Sequence, residues 1–101
     1  MKLCLYGASS NLINKKYIEA TEKLGEELAK RGHTLVFGGG ANGLMGAAAR
    51  GVTKVGGEII GISPKFFDVD GVLYDKCTEF IYTETMQERK HLLVTKSDGF
   101  I

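Results

Sequence analysis

Apolar residues in this chain fall into short runs separated by stretches of helical spacing. Leu3-Cys4-Leu5-Tyr6 is almost wholly apolar and stops at Gly7, the pattern of a strand buried on both faces. From Lys15 to Arg31, Ile18, Thr21, Leu24 and Leu28 recur at helical intervals, with Asn14 as the N-cap and Gly32 as the stop. Thr34–Phe37 is a second strand. Gly43 to about Val55 is a second helix, with Met45, Ala48, Ala49 and Val52 on one face. Glu58–Ser63 reads as a third strand, halted by Pro64, the single proline. Pro64 to Lys76 reads as a connection, unusually apolar in Phe66, Phe67, Val69, Val72, Leu73 and Tyr74. Glu79–Tyr82 is a fourth strand. Thr85-Met86-Gln87-Glu88 has the capping-box form and opens a helix to about Lys96, after which Asp98–Ile101 begins a fifth strand.

Strands and helices in this alternation predict parallel strands joined by crossover helices: a single Rossmann-like α/β domain over residues 1–101, an open parallel sheet with helices on both faces. In such sheets ligands bind beyond the carboxyl ends of the strands. The loops Gly7–Asn11, Gly38–Asn42 and Tyr82–Met86 should therefore converge.

Composition narrows the field without deciding it. The chain has 101 residues, 44% hydrophobic and 25% charged, as in an ordinary globular domain. A formal charge of +1 gives no overall field for nucleic acid or an anionic membrane, and no apolar run is long enough to span a bilayer. Cys4 and Cys77 stand far apart in sequence, with no metal or disulfide spacing, so reduced thiols and a cytoplasmic setting are expected. No cofactor is implied.

Five of the ten residues from Phe37 to Gly46 are glycine, at a strand-to-helix corner. Such a corner lets backbone N–H groups approach a phosphate, and the following helix N-terminus favours an anion. Gly38-x-Gly40-x-x-Gly43 matches the dinucleotide fingerprint in form only. It follows the second strand rather than the first, and Glu58, the nearest acidic partner, lies at the wrong end of its strand. No Gly-Lys-Ser/Thr triplet follows, which excludes a Walker loop. A corner that merely allows helix and strand to pack closely is the plainer alternative. Ser9 and Ser10, after the first strand, are either ligand contacts or turn residues. Met86, Arg89, Lys90 and Leu93 share one helical face, with two cations where the helix dipole disfavours them. Either an anion binds there, or the cations form a solvated cluster with Glu88. His33 and His91 have no partner at ligand or catalytic spacing.

Three blocks together resemble the Lonely Guy (LOG) family, often labelled "possible lysine decarboxylase". Leu5-Tyr6-Gly7-Ala8-Ser9-Ser10 is similar to its first-strand Tyr-x-Gly-Ser-Ser corner, with Ala8 variant. Leu35 to Gly46 is similar to its Val-Tyr-Gly-Gly-Gly-x-x-Gly-Leu-Met-Gly block. Met86-Gln87-Glu88-Arg89-Lys90 and Ser97-Asp98-Gly99-Phe100-Ile101 are similar to its Met-x-Glu-Arg-Lys and Ser-Asp-Ala-Phe-Ile segments.

The resemblance implies a nucleoside 5′-monophosphate phosphoribohydrolase, releasing free base and ribose 5-phosphate from AMP or a cytokinin riboside monophosphate. By the same resemblance Arg89 is catalytic; Ser9, Gly38, Gly39, Gly40, Gly43 and Lys90 line the nucleotide pocket, and Met86 lies near the base. A homodimer or higher oligomer is implied, with neither nucleic acid nor membrane as partner. In the family the next segment would be Leu-Pro-Gly-Gly-x-Gly-Thr-x-x-Glu, carrying the essential glutamate. Its absence from these residues leads to the expectation of a chain cut at Ile101, inactive by itself and prone to self-association along the fifth strand. A nucleotide-binding or carrier module of the same Rossmann-like group, without turnover, is the other reading.

Overall fold

A computed structural model describes residues 1–5, 14–67 and 73–100. The elements run β1 (Lys2–Cys4), α1 (Lys15–Lys30), β2 (Thr34–Phe37), α2 (Gly43–Lys54), β3 (Ile59–Pro64), a short 3-10 turn (Lys65–Phe67), β4 (Glu79–Thr83), α3 (Met86–Thr95) and β5 (Gly99–Phe100). All five strands are parallel, in the order β4-β3-β2-β1-β5. The chain therefore steps outwards from β1 to β4, then returns through α3 to place β5 on the other side of β1.

Alternation along the strands divides the core in two. Leu5, Leu35, Phe37 and Ile59 point to the side where Leu28 of α1 and Ala48, Ala49 and Val52 of α2 are buried. Cys4, Val36, Ile60 and Ile62 point to the opposite side, where Leu93 of α3 covers them. Helices thus lie on both faces, as the element order requires.

Two glycines set the distance between α1 and α2. A Cβ on Gly25 would overlap the backbone oxygen of Ala48, and one on Gly51 would overlap that of Glu22. The helices approach backbone to backbone, and the small Ala48 and Ala49 are buried in the core between α2 and the sheet.

The structure departs from the sequence reading at several strand ends and in the connection after β3. Pro64 belongs to β3 and pairs with Thr83 rather than ending the strand before it. Pairing of β3 with β2 has already stopped at Gly61, so the missing proline N–H costs no bond on that side. The connection after β3 is apolar partly because Tyr74 enters the core. Its ring meets Phe37 edge-on at 6.4 Å, and its hydroxyl lies 2.6 Å from Thr53 Oγ1. Tyr6, read as the end of the first strand, lies outside the described residues.

Gly25→Ala should destabilise the fold by about 1–3 kcal/mol, because neither backbone can yield to the added methyl. Urea denaturation of the two chains measures this. Equal midpoints would mean that the helices can separate at no cost.

Candidate functional site

Parallel pairing places the ends of β2, β3 and β4 at one edge of the sheet, where Gly38–Gly40, Pro64 and the Thr83–Met86 turn emerge. The turn into α3 is fixed locally. Thr83 Oγ1 donates to the Thr85 carbonyl at 3.1 Å, and Thr85 Oγ1 caps the helix by accepting from Glu88 N at 3.1 Å. This sets the first turn of α3 and so the direction in which Arg89 leaves it.

Arg89 reaches back across the strand ends. Its Nε donates to the carbonyl of Ile62 at 3.0 Å, and its Nη2 donates to the carbonyl of Gly38 at 3.0 Å. One guanidinium therefore spans β3 and the residue following β2. A cation in the first turns of a helix opposes the dipole at a cost of about 0.3–1 kcal/mol. A hydrogen bond to a charged group returns about 1.5–3 kcal/mol, so two of them outweigh that cost. The basic pair predicted at this helix start thus divides: Arg89 is partly buried and bonded, and Lys90 is exposed.

The glycine block is shaped to admit these neighbours. Gly39 has φ +86°, a conformation that L side chains rarely adopt, and a Cβ there would come within 2.7 Å of Phe80. Its carbonyl accepts from Tyr74 N at 2.8 Å, and Gly40 forms an antiparallel bridge with Leu73. Gly43, buried with φ +64°, opens α2. The close-packing role weighed for this corner is thus present.

The structure brings Gly38, Gly39, Gly40 and Arg89 together, with Gly43 at the adjoining helix start. Met86 begins α3 and is 38% exposed, one helical turn from Lys90. Ser9, with the rest of the Gly7–Asn11 loop, lies outside the described residues. Glu58 hydrogen-bonds Thr34 Oγ1 at 3.4 Å at the amino ends of the strands, opposite the glycine corner. This agrees with the rejection of a dinucleotide fingerprint. His91 is exposed, and His33 Nδ1 lies 3.2 Å from the N-terminal amine.

Sequence reasoning missed two polar features at the same edge. Lys65 and Glu84 pair at 2.7 Å across the ends of β3 and β4, and hydrogen bonding to Glu84, with its charge, raises the Lys65 pKa. Both are well exposed, so the pair adds charge more than stability. Ser63 is fully buried on β3, and its hydroxyl has no hydrogen-bond partner among the described residues. A hydroxyl directly after the run Ile59–Ile62, within the same strand, was the available signal for it.

Among the described residues there is no group of three or more histidine, cysteine or acidic side chains able to hold a metal ion, and no helix long and apolar enough to cross a membrane. Cys4 is buried. Burial, then the nearby Asp75 carboxylate, pushes the Cys77 thiol up to about 11.

The class is therefore an open parallel α/β protein whose candidate site lies at the carboxyl ends of the strands, lined by a glycine corner and a latched arginine. A family profile described as the SLOG cluster4 family matches residues 1–101, and the chain belongs to that family. It is 35% identical over 100 residues to the probable cytokinin riboside 5′-monophosphate phosphoribohydrolase LOGL9 of Oryza sativa subsp. japonica, covering 99% of this chain and 44% of that protein. It is 38% identical over 84 residues to the cytokinin riboside 5′-monophosphate phosphoribohydrolase of Mycobacterium tuberculosis, covering 83% of this chain and 45% of that protein. The resemblance to the LOG family read from the three sequence blocks holds. The chain spans less than half the length of these two relatives. The molybdenum cofactor carrier protein of Chlamydomonas reinhardtii superposes with a TM-score of 0.82 at 22% identity, over 98% of this chain and 59% of that one, a likeness of fold.

With its pKa near 11, Cys77 should be alkylated slowly by iodoacetamide at pH 8, the rate still climbing with pH up to about 11. A rate that levels off by pH 9 would show an accessible, ordinary thiol.

Proposed function

We propose that this chain supplies the nucleotide-holding part of a nucleoside 5′-monophosphate phosphoribohydrolase. The reaction adds water across the N-glycosidic bond of AMP or a cytokinin riboside monophosphate. The water's hydroxyl goes to the anomeric carbon, its proton goes to the base, and free base and ribose 5-phosphate leave. The observation that carries this reading is the Arg89 guanidinium fixed beside Gly38 at the strand ends, in a chain 35% identical to a probable cytokinin riboside 5′-monophosphate phosphoribohydrolase.

Breaking the bond to the base develops positive charge on the ribose, and the 5′-phosphate is anionic throughout. A rigid cation suits the phosphate and the sugar hydroxyls. The ribose cation calls for a carboxylate, which family resemblance assigns to a glutamate in a Pro-Gly-Gly-x-Gly-Thr-x-x-Glu segment absent from these 101 residues. In this reading Arg89 is the catalytic residue contributed here. Gly38, Gly39, Gly40 and Gly43 shape the phosphate corner, Ser9 and Lys90 add polar contacts, and Met86 lies against the base. A homodimer or higher oligomer with the site near its interface, in the cytoplasm, completes the reading.

The test incubates the full-length protein with AMP and follows free adenine by chromatography. Arg89→Ala should lower the rate by about 100-fold or more, the scale of a lost transition-state contact. Equal rates would remove Arg89 from the mechanism. AMP binding without adenine release would favour the carrier reading.

A further inference from the structure

We propose that Gly38 is a positioning residue: the space where its side chain would be is the seat of the Arg89 guanidinium, and its carbonyl sets the direction of that group. This deepens the proposed function, on which the catalytic role of Arg89 rests, and it shifts Gly38 from contacting ligand to holding the arginine that does.

Three observations converge on this, two at Gly38 itself and one on β3. A Cβ built on Gly38 would overlap Arg89 Nη2, and Arg89 Cζ would lie only 2.9 Å from it. Real Cβ atoms do not approach other heavy atoms so closely, so any L side chain here must displace the guanidinium. The Gly38 carbonyl accepts from the same Nη2 at 3.0 Å, which makes the residue both seat and anchor. The second anchor, Ile62 O at 3.0 Å from Nε, comes from a neighbouring strand and fixes the plane of the guanidinium independently.

Gly39 and Gly40 do different work. An added Cβ would meet Phe80 at Gly39 and the flexible end of Met45 at Gly40, not the arginine. The consecutive glycines are thus not interchangeable members of a phosphate loop. The first is matched to a side chain 51 positions away. A methyl at Gly38 would push the guanidinium off one or both carbonyls, and a misplacement of an ångström is costly for a group that must meet a transition state.

A double-mutant cycle tests this without any assay of activity. Gly38→Ala is compared with wild type, and Gly38→Ala/Arg89→Met with Arg89→Met, methionine ending short of the seat. With the arginine present, the alanine should lower the folding equilibrium constant by about 10-fold or more, and in the Arg89→Met background by less than about 3-fold. Equal losses in both backgrounds would overturn the proposal, since the methyl would then be clashing with something other than the guanidinium. Should Gly38→Ala fail to fold, recovery of the Arg89→Met circular dichroism spectrum by the double variant supports the seat, and failure to recover contradicts it.

A spectroscopic arm separates positioning from bulk stability. In folded Gly38→Ala the Arg89 Nε–H resonance should move and exchange faster, while those of Arg31 and Arg50 stay in place. An unmoved Arg89 resonance overturns the proposal. Adenine release from AMP by the complete protein is scored separately. Intact coupling without hydrolysis keeps the seat and rejects the phosphoribohydrolase reading, and hydrolysis without coupling does the reverse.

Discussion

The Arg89 guanidinium lying across the ends of two strands is the contact on which the architecture of this site depends. Its hydrogen bonds to Ile62 O and Gly38 O join the first turns of α3 to β3 and to the glycine corner after β2. The strand ends leave carbonyls beyond the ladder that need donors, and the cation needs acceptors to offset its place near a helix start. Each side supplies what the other lacks. The geometry also explains why the corner after β2 begins with glycine before any ligand is considered.

The rest of the fold holds those two strand ends in register. Ile59–Pro64 is buried along its whole length, between β2 on one side and β4 on the other. Gly25 and Gly51 draw α1 and α2 together over one face, and Leu93 anchors α3 on the other. Tyr74 ties the connection before β4 to the corner through the Gly39 carbonyl and to α2 through Thr53. The candidate site is thus built from backbone whose position is set by packing on both faces. This is the usual way that open α/β sheets present ligand sites at their carboxyl edge.

Much of this was legible in the sequence, for reasons that can be given residue by residue. Short apolar runs alternating with helical spacing dictated parallel strands, and Thr85 with Glu88 marked the start of α3, where the cap is found. Less visible were features that depend on long-range approach. The sequence shows that Gly38 is small but not that Arg89 occupies the space, because the two are far apart in the chain and meet only when β2, β3 and α3 are assembled. Tyr74 looked like part of an apolar connection, since nothing local says that its ring will turn inwards to Phe37. Pro64 looked like a strand stop, because sequence alone does not reveal that β2 has already parted from β3 at Gly61. Local pattern left the basic pair open between an anion site and a solvated charge cluster. The structure gives Arg89 two backbone carbonyls as partners, while Lys90 is exposed.

The central claim, that the arginine is locked to the strand ends before any ligand arrives, can be measured directly in the ligand-free protein. A scalar coupling through the hydrogen bond from Arg89 Nε to the Ile62 carbonyl carbon, read by NMR on isotopically labelled chain, reports that bond alone. A resolved coupling together with a slowly exchanging Nε–H is the predicted result. An Arg89 Nε–H exchanging at the rate of an exposed arginine, with no coupling to Ile62, would contradict it.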